Sequence, residues 1–261
     1  MPATYAHYRF GTAMLRQMPA DVSRTVKRHR RLFDVGLHGP DLFFFYRPML
    51  KTNIGALGHK FHRQTGREFF SRVCRNLRME PSEEGQAYLY GVLCHYVLDS
   101  QCHPLIVKRS QEGIASHSSI ETEFDRFLLE TDGKTPPDDM RLTKHMTLTA
   151  RECAVAARFY PGAEAKHIRE SLQSMVYVRK LLELPQGVLR NAVIKTMSAS
   201  SETFRDMVVE ARPDPRCEAL NQPLLDMYTQ AARRFPQMLQ QLGSHLTYNA
   251  PLGEDFVPNF G

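Results

Sequence analysis

The segment HYVLDSQCHP, residues 95–104, places two imidazoles and a carboxylate at successive four-residue steps, as His95, Asp99 and His103. On an α-helix a four-residue step advances by about 40° around the axis, so these side chains lie on one side of the helix over two turns. Three polar groups on one stripe are costly to bury without partners. Imidazole nitrogen and carboxylate oxygen are good ligands for a divalent metal ion. The spacing therefore predicts a metal-binding helix face.

A second pair with the same spacing follows at once, as His117 and Glu121 in HSSIETEFD. One such pair is weak evidence, because a histidine and an acid four residues apart often form a surface ion pair. Two ligand-rich helices separated by a short loop are more specific. Pro104 disfavours helical backbone at the residue before it. We therefore expect the first helix to end at His103 and this side chain to turn toward a neighbouring metal ion.

Further candidate ligands lie upstream. They are His7 in YAHYRFG, Asp41 in GLHGPDLFFFY, and either His59 or His62 in GHKFHRQ. Taken alone, His7 is more typical of a packed or capping histidine than of a ligand. Cys94 and Cys102 flank the first stripe, and thiolate binds zinc well. Buried cysteine more often packs as a small apolar residue, so we do not expect these two to be ligands.

The elements that must position these residues are predicted to be helices. Apolar residues recur at steps of three and four in almost every long segment, and convincing strand alternation is absent. Ser82, followed by two glutamates, is typical of a helix N-terminus. Short loops rich in Gly or Pro separate the helices, and none resembles an interdomain linker. We predict one all-α domain over residues 1–261, with the C-terminal YNAPLGEDFVPNFG running across the surface.

Composition narrows the class of protein further. A net charge of +6 slightly favours an anionic partner, such as a phosphate ester, a nucleic acid or a lipid headgroup. No segment reads as a secretory signal or a membrane span, so we expect a cytoplasmic protein. The five cysteines follow no paired spacing and are expected to be reduced. The basic run KRHRR, residues 27–31, is typical of the charged end of an amphipathic helix.

The ordered set of candidates resembles the ligand series of the zinc-dependent phospholipase C superfamily, which includes the single-strand-specific zinc nucleases. The resemblance extends from residue 5 to about residue 130. It implies an all-α fold around a cleft with two or three zinc ions. By resemblance, Asp41, His62, His95 and Asp99 would bind one zinc, His103, His117 and Glu121 a second, and His7 with a bridging Asp99 a third. His62 fits better than His59, because an aromatic-rich helix follows it in HRQTGREFF.

The resemblance also implies a zinc-dependent phosphodiester hydrolase, with phospholipid headgroups as the first-choice substrate and Asp41 as the water-orienting group or general base. A single-strand nuclease and a non-catalytic, zinc-stabilised binding protein are the alternatives. Secreted relatives use the mature N-terminal residue for the third zinc. This sequence begins Met1-Pro2, so we expect two zinc ions when Met1 is present and a third only if Pro2 supplies a free amine.

Overall fold

The computed structural model describes residues 4–136, 139, 143–182, 184, 187–200 and 202–261. Within these ranges the regular elements are helices, and no strand is present. The prediction of an all-α fold is confirmed. The α-helices are α1 (Thr4–Leu15), α2 (Ala20–Arg28), α3 (Arg30–Gly36), α4 (Ala56–His62), α5 (Gly66–Met79), α6 (Glu83–Gln111), α7 (His117–Thr131), α8 (Ala150–Ala157), α9 (Ala165–Leu182), α10 (Val188–Ser200), α11 (Glu202–Asp206) and α12 (Asn221–Tyr248). The 3-10 helices are Gly39–Phe45, Thr143–His145, Glu218–Leu220 and Glu254–Phe256.

Helix α6 is the central element, and α1, α2, α3, α5, α7, α8 and α12 pack around it. It begins where the sequence predicts: the Ser82 hydroxyl accepts a hydrogen bond from the Gly85 amide at 3.0 Å. A side-chain cap of this kind satisfies one of the free amides of the first turn. Because α6 is buried on several sides, most of its middle turns consist of apolar residues, and the predicted ligand stripe faces the interior.

The prediction that α6 ends at His103 is wrong. The helix continues through Pro104 and ends at Gln111, and Gly113 just beyond it has a φ of +77°. The Ile114 amide donates to Arg109 O at 3.2 Å and the Gly113 amide to Ser110 O at 3.1 Å, which is the bonding pattern of a glycine-terminated helix. Proline removes one amide donor, and the packing on both sides of α6 keeps the helix continuous there. His103 therefore stays on the same helix face as His95 and Asp99.

The close crossing of α3 and α6 places the loop that carries Asp41 against the ligand stripe. A Cβ atom at Gly91 would lie 2.3 Å from Phe33 O, and one at Gly36 would lie 2.6 Å from Tyr88 O. The two backbones are therefore in contact at this point, with no room for a side chain. The crossing brings Leu37 O to 3.2 Å from His95 Nδ1.

The C-terminal segment runs along the surface as predicted, with most of its residues at least partly exposed, but it also inserts aromatic side chains into the interior. Phe256 and Phe260 are fully buried. The hydroxyl of Tyr96, on α6, lies 3.0 Å from Asp255 O and 2.9 Å from Pro258 O. The Phe260 amide donates to His62 O at 3.1 Å, so this segment is fixed directly to the end of α4. We use "C-terminal strap" for residues 250–261.

The structure also shows the environment of the cysteines and of the basic run KRHRR. All five cysteines are buried and free. The basic run KRHRR is divided at His29, between α2 and α3, and its arginines pair with acids: Arg28 with Glu83, Arg30 with Asp34, and Arg31 with Glu152. Among the described residues, no helix is both long and apolar enough to cross a membrane.

We predict that Gly91→Ala separates α3 from α6 and lowers the free energy of unfolding by at least about 2 kcal/mol, because the added methyl group meets backbone that cannot move aside. Chemical denaturation measures the change. Gly243→Ala in α12 is the matched control: nothing lies within 4 Å of its Cβ position. This control should gain about 0.5–1 kcal/mol, because alanine is the better helix former. Equal stability of Gly91→Ala and the parent protein would contradict the close backbone contact between α3 and α6.

Candidate metal centre

Asp99 lies at the middle of the candidate site. Its Oδ2 atom is 2.9 Å from His95 Nε2, and its Oδ1 atom is 3.1 Å from His7 Nε2 and 3.6 Å from His103 Nε2. His7 comes from α1, and the other residues come from α6. The side chain of Asp99 is 4% exposed, so its charge is almost wholly removed from water. A carboxylate in this position requires compensation by positive charge.

Asp41 and His62 extend this arrangement from the 3-10 helix Gly39–Phe45 and from α4. Asp41 Oδ1 is 3.0 Å from His62 Nε2, and Asp41 Oδ2 is 3.8 Å from His95 Nδ1. Both His62 and Asp41 are buried, whereas His59 is exposed. The structure thus brings His62 into the cluster and leaves His59 at the rim, where its ring contacts Phe44.

The second candidate group joins the first through His103. Glu121 Oε1 lies 3.3 Å from His103 Nε2 and 3.2 Å from His117 Nε2. Helix α7 positions Glu121 and His117 on one face, as the four-residue spacing predicts. The side chain of His117 is 33% exposed, so this group lies nearer to solvent than Asp99 does.

The ligand atoms form two compact sets. One ligand atom each from His7, Asp41, His95 and Asp99 can be chosen so that all four lie within 4.8 Å of one another, and the same holds for His103, His117 and Glu121. His7 thus lies with the first set rather than apart from it, and His62 flanks that set beside Asp41. Neither Cys94 nor Cys102 belongs to these sets.

The five histidines share one orientation, in which Nε2 points to a carboxylate of the cluster. For two of them a backbone carbonyl fixes this orientation: Gly58 O lies 2.7 Å from His62 Nδ1 and Leu37 O lies 3.2 Å from His95 Nδ1. A hydrogen bond from Nδ1–H to such an oxygen leaves the Nε2 lone pair free for a metal ion, and this is the usual outer support of metal-binding histidine.

Several buried polar atoms of the cluster are not satisfied by hydrogen bonds. Asp41 Oδ2, Asp99 Oδ2 and His95 Nε2 make none with any residue in the described part of the chain. Asp99 Oδ2 and His95 Nε2 are only 2.9 Å apart, yet their angles are not those of a hydrogen bond. Buried lone pairs that converge without a proton donor fit a bound cation. Together with the imidazole and carboxylate chemistry, this arrangement fits zinc.

The carboxylates and imidazoles of the cluster shift one another's pKa. Burial alone would raise the pKa of Asp99, but His103 and His95 hold it well below its usual range. Burial also opposes ionisation of Glu121, and His117 and His103 likewise hold its pKa well below the usual range. Burial would lower the pKa of His103, but Asp99 and Glu121 raise it to about 9. The carboxylates are thus ionised and require cationic partners, a role that a divalent metal ion can fill.

The structure reveals a supporting residue that the sequence analysis missed. Asp125 Oδ2 accepts a hydrogen bond from the Tyr5 amide at 2.9 Å, and Oδ1 accepts one from the Ala6 amide at 2.8 Å. This buried carboxylate therefore caps the first turn of α1 and fixes the position of His7. Asp125 follows Glu121 by four residues, so an extension of the four-residue pattern would have pointed to it.

A cavity of about 320 Å³ opens onto the cluster. Its lining residues are Asp41, Phe44, His59, His62, His103, Val107, His117, Glu121 and Gly261. Phe44 is half-buried, while its neighbours Phe43 and Phe45 are fully buried core residues. The segment DLFFFYRPM therefore contributes both to the core and to the cavity wall. The predicted third ligand site at Pro2 lies outside the described residues.

A family model described as zinc dependent phospholipase C matches residues 6–160, which contain every candidate ligand. No curated protein and no solved structure matches the chain significantly.

We predict that His62→Ala weakens zinc binding by at least about tenfold, because loss of even an outer-sphere partner of a metal ligand has an effect of this size. His59→Ala, three residues away and exposed, is the matched control and should bind zinc like the parent. Competition with a chromophoric chelator measures both affinities. Weaker binding in His59→Ala but not in His62→Ala would reverse the assignment.

We predict that Asp125→Asn lowers the free energy of unfolding by about 1–3 kcal/mol, because the amide can accept only one of the two buried bonds and leaves the other N–H unpaired. The variant should also lose zinc affinity through displacement of His7. Asp226→Asn, at an exposed position on α12, serves as control and should stay within about 0.5 kcal/mol of the parent. An Asp125→Asn protein as stable as this control would exclude the capping role.

Proposed function

Because the chain belongs to the zinc-dependent phospholipase C family, we propose that it hydrolyses phosphodiesters at a cluster of bound zinc ions, with phospholipid as the substrate class. The observation that carries this proposal is the convergence of five Nε2 atoms on three buried carboxylates beside an open cavity. A purely structural zinc site is normally closed by four protein ligands, whereas a catalytic site keeps a position open.

We assign two zinc ions to the centre. Asp41, His95 and Asp99 would hold the first, with His7 and His62 as the adjoining donors, and His103, His117 and Glu121 would hold the second. The two compact sets of ligand atoms support this number. The 3.6 Å separation between Asp99 Oδ1 and His103 Nε2 supports a close approach of the two sets. The cavity lies against members of both.

Zinc, when bound, acts as a Lewis acid toward phosphodiester oxygens and activates water as a nucleophile. The protein residues orient the reaction. Burial alone would raise the pKa of Asp41, but His95 and His62 lower it below its usual value, so Asp41 is ionised. Its Oδ1 is held beside His62, and its Oδ2 makes no hydrogen bond with the described residues. These features support Asp41 as the group that would orient the attacking water and accept its proton.

The cavity lining favours a lipid over a single-stranded nucleic acid. Binding of single strands relies on aromatic rings on which successive bases stack. Phe44 is the aromatic residue among the described lining residues, and its ring is packed against His59 and His62, with centroid distances of 4.9 and 5.3 Å. No second Phe, Tyr or Trp ring lines this cavity among the described residues to stack a neighbouring base. Phe44 and Val107 instead supply apolar surface to one side of the phosphodiester.

We predict that Asp41→Asn lowers kcat for a chromogenic phosphodiester by at least about 100-fold, the usual contribution of a positioned acid–base group. Circular dichroism and metal analysis of the same preparation show whether the fold and the zinc content survive. Asp21→Asn, on the surface of α2, should retain full activity. An Asp41→Asn enzyme with parental kcat would exclude the assigned role.

We predict that removal of zinc by a chelator abolishes turnover and that readdition of zinc restores it, because the substrate phosphate and the water then lose their activating cation. A zinc-stabilised binding protein would behave differently. It would show no turnover on any diester in either state, and chelation would change only its thermal stability.

A further inference from the structure

A second cavity, of about 340 Å³, lies beside the first, and the proposed function assigns it no role. The two cavities share His103, Val107 and Gly261, so the second begins where the first ends. Asp99, the central carboxylate, also lines the second cavity. A phosphodiester bound at the metal centre would therefore have one of its two substituents directed into each cavity.

The C-terminal strap builds the wall between the cavities. Gly261 lies so close to His103 that a Cβ atom there would be 1.5 Å from His103 Nδ1. The strap is fixed just before this residue, because the Phe260 amide donates to His62 O and the Phe260 ring is buried against the His95 and His62 rings. The Gly66 amide donates to Pro258 O at 2.9 Å. These hydrogen bonds and ring contacts therefore hold the wall in place.

The second cavity is lined by Pro104, Val107 and Pro258 together with several polar groups, which include one uncompensated cation. Lys108 is exposed and forms no ion pair within the described part of the chain, whereas the adjacent Arg109 is paired with Glu112. Ser100, Gln111 and Asn259 add a hydroxyl and two amides. These groups can donate hydrogen bonds to hydroxyl or phosphate oxygens and accept them from hydroxyls.

The same lining is unsuited to a quaternary ammonium group. Recognition of such a cation uses aromatic faces or acidic side chains. No Phe, Tyr or Trp side chain lines this cavity among the described residues, and its imidazole and carboxylate, His103 and Asp99, belong to the proposed metal centre. Lys108 would repel a second cation. The chemistry of the cavity thus distinguishes between classes of phospholipid headgroup.

We propose that the second cavity binds the headgroup of the phospholipid substrate and selects headgroups that carry hydroxyls or negative charge, of the glycerol or inositol type, over choline. This inference rests on the proposed function. In the reaction, water oxygen bonds to phosphorus and the bond from phosphorus to the diacylglycerol oxygen breaks. That oxygen takes up a proton, and the phosphorylated headgroup remains beside Lys108. The apolar side of the first cavity, with Phe44 and Val107, then faces the diacylglycerol.

The test compares short-chain phospholipids that differ only in a glycerol, inositol or choline headgroup, together with bis(p-nitrophenyl) phosphate. The parent should show kcat/KM at least about tenfold higher for the glycerol or inositol lipid than for the choline lipid. Lys108→Ala should lose about tenfold on the preferred lipid, mainly through KM, because one charge-assisted hydrogen bond is of this size. Lys108→Arg should retain the preference, and Lys27→Ala, an exposed lysine on α2, should match the parent.

Preference of the parent for choline, or an equal loss on all three lipids in Lys108→Ala, would overturn the headgroup assignment. Hydrolysis of bis(p-nitrophenyl) phosphate or of an oligonucleotide, but of no phospholipid, would also overturn it and would leave a zinc phosphodiesterase. No hydrolysis of any diester by the zinc-loaded protein would overturn the proposed function itself.

Discussion

Asp41, Asp99 and Glu121 converge from different elements into one buried cluster, where their main neighbours are imidazoles. Ionised carboxylates are strongly disfavoured away from water unless positive charge compensates them. The interior around α6 is organised to provide that compensation, since five histidines present Nε2 to the three acids. The same arrangement that balances these charges also creates the ligand geometry of a metal centre. The residues that balance the buried charges are therefore the same residues that would bind zinc.

The scaffold meets this requirement through contacts far apart in sequence. The glycines Gly36 and Gly91 allow α3 to touch α6, so that Leu37 O orients His95. Asp125 caps α1, which places His7. The C-terminal strap is bonded to His62 at the end of α4. Its last residue, Gly261, lines both cavities beside the metal centre and separates them. The strap lies outside residues 6–160, which match the family model.

The helical class and the pairs His95–Asp99 and His117–Glu121 could be predicted from the sequence because both depend on local periodicity, whereas the places of His7, Asp41 and His62 in the cluster followed only from the resemblance to the family. Four-residue spacing puts His95 and Asp99, or His117 and Glu121, on one face whatever the rest of the fold does. Local rules failed at Pro104, because the packing around α6 outweighs the conformational preference of one residue. The burial of Phe256 and Phe260 in the strap was not predicted, because it depends on partners such as Tyr96 and His62, more than 150 residues away. No local pattern records such contacts.

The most direct test of a zinc centre at this cluster is a crystal structure of the purified protein with anomalous diffraction data collected on both sides of the zinc absorption edge. We expect two zinc peaks, one about 2.0–2.1 Å from Nε2 of His95 and one at the same distance from Nε2 of His117. We also expect carboxylate oxygens of Asp99 and Glu121 within bonding distance of these peaks. The absence of zinc peaks, or peaks bonded to other residues while this cluster holds only hydrogen-bonded side chains, would contradict this expectation.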